Sequence, residues 1–221
     1  MSFLEAADAL RRGGFVLLHD AEGRENEFDM VAAAQFVTPG HVATMRSQAG
    51  GLLCAAVEHG LAARLGLPYM HNILAGAGLP PAMIQGLAPY GDHPTFSIYV
   101  NHASSYTGVT DKDRSRTIRE VAALYDTDHT REAFARSFRT PGHVPLLMAS
   151  EGLLKARVGH TEMSVYLAQV AGLRPVAAIC EMMDSQTHSA LDADGAAAYA
   201  KRHGLPTVES QELLEHAGVE C

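Results

Sequence analysis

Apolar positions along the chain follow two rhythms. Leu4, Ala7 and Leu10 recur at helical spacing, and Gly13–Gly14 would stop that helix. Phe15 to Leu18 then reads as a short buried strand. After a polar turn from Asp20 to Asn26, an apolar strand resumes from Met30 to Phe36. Thr38–Pro39 opens a helix with proline at its first position, running to about Ala49. Leu52 to Val57 predicts a strand and Leu61 to Leu65 a helix.

The segment from Pro68 to Pro94 is the least regular, with Gly76, Gly78, Pro80, Pro81, Gly86, Pro89 and Gly91 inside it. A loop this long in a compact domain is usually functional or mobile. Strand character returns at Thr95 to Val100. Asp113 can cap a helix to about Tyr125, and a more polar helix covers Thr130 to Arg136. Thr140-Pro-Gly-His143 reads as a turn feeding a strand, Val144 to Met148. Thr161 should cap an apolar helix that ends near Gly172. Val176 to Cys180 is a strand. Helices at Ala193 to His203 and Ser210 to His216 flank a short strand at Thr207–Val208. Strands and helices alternate without internal repeat or composition shift. Residues 1–221 therefore read as one α/β domain, a mixed sheet flanked by helices.

Composition narrows the function. The 221 residues are 47% hydrophobic and 19% charged, enough for a real core. A net charge of −8 argues against nucleic acid or an anionic membrane as partner, while a few placed arginines can still hold a phosphate. No apolar run approaches the roughly 20 residues of a spanning helix. Val165 to Cys180 comes nearest, and Gln169, Arg174 and Pro175 interrupt it. Cys54, Cys180 and Cys221 show neither a disulfide framework nor a zinc spacing, so a reducing cytoplasm is expected. Met1 to Arg12 carries Glu5 and Asp8 and does not read as a signal peptide.

Two segments carry most of the candidate chemistry. If Glu25 to Asp29 is extended, alternation puts Glu25, Glu27 and Asp29 on one face. Three carboxylates there repel one another, and a divalent cation relieves that repulsion. Arg24 beside them suits a phosphate or an anionic oxygen, although a solvated acidic turn has comparable standing locally. The second segment is Arg157-Val158-Gly159-His160-Thr161-Glu162. A helix start with free amides attracts anions, Arg157 reinforces it, and Gly159 lets the backbone approach closely. His160 at its mouth is a candidate metal ligand or proton carrier.

Weaker signals lie elsewhere. Arg114 and Arg116 oppose the dipole of the helix from Asp113 unless an anion joins them, and Thr107, Gly108 and Thr110 can donate to such a group. His143 is a candidate acid or base, as is Glu181 at the end of a strand. Cys54 reads as core rather than nucleophile.

The ordered set resembles the 3,4-dihydroxy-2-butanone 4-phosphate synthase family from about Ala7 to Leu214. The segments that carry it are Arg24-Glu-Asn-Glu27 with Asp29, Ala49-Gly-Gly-Leu-Leu-Cys54, Thr107-Gly-Val-Thr-Asp-Lys-Asp-Arg114, Pro141-Gly-His143, Arg157-Val-Gly-His-Thr-Glu162 and Ile179-Cys-Glu181. Phe138-Arg-Thr-Pro-Gly142 and Cys180-Glu-Met-Met183 look most like its archaeal, single-function form, so no cyclohydrolase domain is expected.

The resemblance implies an α/β sandwich that converts ribulose 5-phosphate to the four-carbon ketone phosphate and formate, using Mg2+ or Mn2+, two ions per site. It implies Glu25 and His160 as metal ligands. Arg24, Glu25, Asp29, Thr107, Glu181 and the turn Arg157, Val158, Gly159, His160 and Thr161 would contact substrate. His143 and Glu181 would transfer protons. It also implies a cytoplasmic homodimer in which the Thr107 loop or His143 comes from the neighbouring chain. The Pro68–Pro94 segment is expected to close over the site. Phe28 would either reshape the acidic turn or point into the core. The first outcome favours a related sugar-phosphate lyase or isomerase. A non-catalytic phosphometabolite sensor would need the Arg157 and Thr107 turns but neither His143 nor Glu181.

Overall fold

Alternate residues of each central strand face opposite sides of one sheet, and the sequence supplies apolar side chains for both. The computed structural model describes residues 3–84 and 86–219, so Cys221 lies outside the described residues. In chain order the elements are α1 (Phe3–Arg11), β1 (Phe15–His19), β2 (Phe28–Ala33), α2 (Pro39–Thr44), β3 (Cys54–Val57), α3 (His59–Leu65), α4 (Met70–Gly76), α5 (Pro81–Ile84), β4 (Phe96–His102), α6 (Asp111–Ala123), α7 (Thr130–Ser137), β5 (Phe138–Met148), α8 (His160–Val170), β6 (Val176–Glu181), β7 (Met183–Asp184), β8 (Ser189–Ala190), α9 (Ala193–His203), β9 (Thr207–Glu209) and α10 (Ser210–Ala217).

Seven strands form one sheet in the order β4, β5, β3, β6, β2, β1, β9. Antiparallel β6 lies between β3 and β2, while β3–β5 and β1–β9 pair in parallel, so the sheet is mixed as expected. Leu17, Met30, Ala55, Leu146 and Cys180 point to one face, where α2, α3, α6 and α9 cover them with Val42, Leu61, Ile118 and Ala196. Leu18, Val31, Cys54, Leu147 and Ile179 point to the other, under α1, α8 and α10 through Leu10, Leu167 and Leu213. Each fully buried Leu or Met is worth about 1.5–3 kcal/mol of transfer from water, which the sheet collects on both sides. Cys54 and Cys180 are free and buried on opposite faces, so Cys54 is core.

The structure corrects several local expectations. β2 ends at Ala33, and 34–36 forms a 3-10 turn instead of continuing the strand. Thr110, not Asp113, caps α6: its hydroxyl accepts the Asp113 N–H at 3.1 Å. Arg114 pairs with Asp111 at 3.3 Å while its Nε is buried without a partner, and Arg116 donates to Ser104 Oγ at 2.8 Å. Thr140 to His143 lies within the span of β5 but leaves the ladder: Val144 pairs with Val100 and Arg139 with Asn101, so the four residues bulge out between consecutive pairs, as the expected turn feeding Val144–Met148. Gly142 is there for closeness, since a Cβ on it would lie 2.0 Å from the Val100 carbonyl carbon. Residues 68–94 hold two short helices, α4 and α5, neither with a buried residue. Among the described residues no helix is long and apolar enough to cross a membrane.

Candidate active site

The hairpin between β1 and β2 is built around one buried carboxylate. Asp20 Oδ2 accepts the Glu25 N–H and an Arg24 Nη1 hydrogen, each at 3.0 Å, and Oδ1 accepts the Glu27 N–H at 3.0 Å. A carboxylate without water persists only when fully hydrogen-bonded in this way. Asn26 takes a left-handed φ of 55°, so 25–27 is not the extended run expected. Glu25, Glu27 and Asp29 nevertheless line one pocket. Phe28 turns away from it: it is buried in the core and stacks on His19 at 4.2 Å. The turn is therefore not reshaped by its bulk.

The start of α8 meets this hairpin. His160 Nδ1 lies 3.0 Å from Glu25 Oε2, and Nε2 lies 3.0 Å from the Glu27 carbonyl oxygen. Gly159, not Thr161, is the N-cap of α8, without a side-chain cap. Thr161 instead pairs its hydroxyl with that of Thr95 at 3.0 Å. A Cβ on Gly159 would lie 2.1 Å from Arg157 Nη1 and 3.0 Å from Arg24 Nη2, so glycine lets both guanidiniums cross the turn. Val158 packs against the apolar core. Arg157 Nη1 donates to Glu162 Oε2 at 2.6 Å, and Glu162 Oε1 accepts the Ser150 N–H at 2.9 Å.

Opposite, Glu181 ends β6 beside Asp29 on β2. Its Oε2 accepts the Leu52 N–H at 2.6 Å. Gly51 makes that approach possible, because a Cβ there would sit 2.4 Å from Glu181 Oε2.

These groups enclose a pocket of about 290 Å³, floored by Phe96, Leu147 and Ile179 and walled by Arg24, Glu25, Glu27, Asp29, Tyr90, Arg157, His160, Thr161 and Glu181. Burial pushes the Asp29 carboxyl up to about 7, with Glu181, Glu25 and Glu27 adding to it against His160. Burial opposes charge on His160, but Asp29, Glu25 and Asp20 outweigh it and raise it to about 9. Burial likewise opposes charge on Glu25, yet His160 and Arg24 hold it at about 2. Burial raises Glu27 as well, with Glu25 and Glu181 adding to it.

Positive charge is thus strongly stabilised where Asp20, Glu25 and His160 each offer a ligand atom, all within 4.8 Å of one another. Asp29 Oδ1 is buried beside them without a hydrogen-bond partner. Carboxylates and one imidazole with a spare oxygen fit a divalent cation with further oxygen ligands.

The structure brings together Arg24, Glu25, Asp29, Arg157, His160, Thr161 and Glu181. Neither Thr107 nor His143 lines the pocket. His143 is held elsewhere by Asn101, whose Oδ1 accepts its backbone N–H at 2.8 Å and whose Nδ2 lies 3.1 Å from Nδ1. The loop at Thr107 instead closes on Asp113, which accepts the Gly108 N–H at 3.0 Å. Sequence reasoning missed Asp20, Glu162, Tyr90 and Asp92 as site residues. Tyr90 lies under Arg24, 4.9 Å from ring centroid to guanidinium, and Asp92 Oδ2 reaches Arg157 Nε at 2.5 Å. Glu162 closes the Arg157–Glu162 motif and Asp20 opens the acidic turn, but neither is given a role there, and Tyr90 and Asp92 leave no signal in the sequence.

A model of the family described as 3,4-dihydroxy-2-butanone 4-phosphate synthase matches residues 4–216. The protein of that name from Methanothermobacter thermautotrophicus is 44% identical over 215 residues, covering 96% of this chain and 93% of the relative. Its counterpart from Archaeoglobus fulgidus is 41% identical over 223 residues, covering 98% and 94%. A solved 3,4-dihydroxy-2-butanone 4-phosphate synthase in complex with two magnesium ions superposes with a TM-score of 0.82 at 30% identity, covering 98% of this chain and 96% of that one.

Proposed function

The chain belongs to the 3,4-dihydroxy-2-butanone 4-phosphate synthase family, and from that premise we propose which of its groups do which work. It is a carbon–carbon lyase that converts D-ribulose 5-phosphate to 3,4-dihydroxy-2-butanone 4-phosphate and formate in riboflavin biosynthesis. Glu25 and His160 would hold a divalent cation, Mg2+ or Mn2+, with Asp20 at their side. Two ions are proposed here, in keeping with the solved relative in complex with two magnesium ions. A cation bound there supplies Lewis acidity towards the substrate's carbonyl and hydroxyl oxygens.

The chain's own groups do the rest. Arg24 and Arg157 bind the phosphate ester, and the Gly159–Thr161 turn and the α8 dipole support it. Asp29, buried with one oxygen unpartnered, takes and returns a proton beside the substrate. Glu181, oriented by the Leu52 N–H, does the same from the opposite wall. Phe96, Leu147 and Ile179 exclude water from the reacting carbons, and Tyr90 closes the mouth from residues 68–94.

His143 and Thr107 belong to the same chemistry only if a second copy delivers them, so the working unit is a homodimer with shared sites. We take 1–221 as one catalytic domain, in keeping with the family match over 4–216. The free thiols at Cys54 and Cys180 suit a reducing cytoplasm.

The observation that carries this reading is the 3.0 Å meeting of His160 Nδ1 and Glu25 Oε2, beside the unpartnered Asp29 Oδ1. Purified protein should release formate from ribulose 5-phosphate, stop on chelation and recover with magnesium. Retained turnover after exhaustive chelation would remove the metal from the scheme. The shared site has its own test. Glu25→Ala and His143→Ala proteins, each inactive alone, should regain about a quarter of the wild-type sites when mixed and reassembled, because half the dimers are mixed and each carries one intact site. No recovery would place both residues in one subunit's site.

A further inference from the structure

Arg24 and Arg157 do not face an empty pocket. Arg24 Nη1 is committed to Asp20 at 3.0 Å and to Glu25 at 3.0 Å. Arg157 Nη1 is committed to the fully buried Glu162 at 2.6 Å. The nitrogens that remain for a ligand include Arg24 Nη2 and Arg157 Nε. Both are met by the same oxygen, Asp92 Oδ2, at 3.4 Å and 2.5 Å.

Asp92 is presented by a small closed turn. The Ala88 N–H donates to the Asp92 carbonyl oxygen at 2.9 Å, and the Gly91 N–H to the Ala88 carbonyl oxygen at 2.8 Å. Gly91 takes a φ of 83°, and Asp92 Oδ1 accepts the His93 N–H at 3.0 Å. The helices before this turn bury no residue, so withdrawing it exposes little apolar surface.

We propose that Asp92 occupies the seat of the substrate's phosphate as an internal competitor, and that this makes it a specificity-determining residue for the reaction. The proposal rests on the reading that Arg24 and Arg157 take the phosphate. A carboxylate there occupies the donors that Asp20, Glu25 and Glu162 leave open while the pocket waits, in a wall that already carries Glu25, Glu27, Asp29 and Glu181. A phosphate dianion brings more charge than the carboxylate it displaces and can bridge both arginines with separate oxygens. A sugar without a phosphate has no group to make that exchange, and it meets a closed anion seat. Apparent affinity for any anion is reduced by the fraction of molecules in which Asp92 is seated.

The test uses the full chain loaded with magnesium and inorganic phosphate as the probe. Asp92→Asn keeps an oxygen for the His93 N–H and removes the charge. It should tighten phosphate binding in calorimetry by on the order of fivefold. It should also lower KM for ribulose 5-phosphate by a similar factor while changing kcat less. Asp92→Ala should shift phosphate affinity in the same direction, and Asp92→Glu should return it towards wild type. A merely structural Asp92 would loosen the turn and weaken phosphate binding. Unchanged or weaker binding in both Asp92→Asn and Asp92→Ala therefore overturns the proposal. Arg157→Ala separates the two levels. If it leaves phosphate affinity intact, the arginine seat itself is wrong. If it abolishes binding while Asp92→Asn gives no gain, the seat stands and only the competitor falls.

Discussion

The β1–β2 hairpin and the 68–94 segment both reach the same pocket, and they are made in opposite ways. The hairpin folds around a buried aspartate with three hydrogen bonds at 3.0 Å, and its neighbours β6 and α8 are packed in the core. The 68–94 segment buries no residue of α4 or α5 and touches the pocket through Tyr90 and Pro94, with Asp92 on the two arginines. Groups proposed to do chemistry sit on the packed, hydrogen-bonded frame. The group that has to yield sits on the part that can. Precision of about 1 Å matters for proton transfer, whereas closing a mouth tolerates slack.

The sharpest way to break this contrast is at the hairpin. Glu25→Ala should cut turnover by about three orders of magnitude or more while the chain still folds, with some loss of melting temperature because His160 and Arg24 lose a partner. Robust formate release from that variant would end its assignment. The frame beneath can be probed through its thiols. Burial pushes Cys180 up to about 12 and Cys54 well above its ordinary value. Each thiol therefore stays protonated at pH 8, and reactivity should climb only as pH approaches the raised value. Site-mapped alkylation of native protein at pH 8 should run about 10³-fold slower than in denaturant. Comparable rates would mean that the sheet opens freely.

A single methyl group gives the next effect. Gly51→Ala places a carbon where Glu181 Oε2 and the Glu181 carbonyl oxygen now sit, at 2.4 and 2.6 Å. Glu181 must shift, and kcat should fall by about 10²-fold in steady-state assays. A wild-type kcat would show that Glu181 needs no fixed position. The same type of change in the loose segment should do almost nothing. Gly76 ends α4 with nothing within 4 Å of a Cβ, so Gly76→Ala should raise stability by about 0.5 kcal/mol in denaturant melts. A loss there would reveal packing that α4 does not show.

Sequence patterns held where an element carries its own signals. Helix α9 runs from Ala193 to His203 as expected, because Asp192 caps its start and Gly204 takes a left-handed φ of 63° at its end. The central strands were legible from apolar runs, since both sheet faces are buried. Pro141–Gly142 marked the break before Val144 correctly, but that the chain continues as β5 on its far side, with Gly142 close against Val100, needed the neighbouring strand. Helices α4 and α5 were hard to read because they are only 7 and 4 residues long and sit among glycines and prolines. Within the site, Glu25, Asp29, Arg157, His160 and Glu181 stood out as motifs. Asp20 looked like any turn aspartate, because its burial depends on the Arg24, Glu25 and Glu27 contacts that only the folded hairpin makes. Asp92 lies 65 residues from Arg157, a separation at which spacing carries no information.

Strand β6 alternates strictly, Ile179 to one core and Cys180 to the other, with Glu181 at its tip level with Asp29. A one-residue slip could move that carboxylate into the position of Cys180, sealed between two strands and a helical layer. The acid that faces the sugar therefore also disfavours that slipped register.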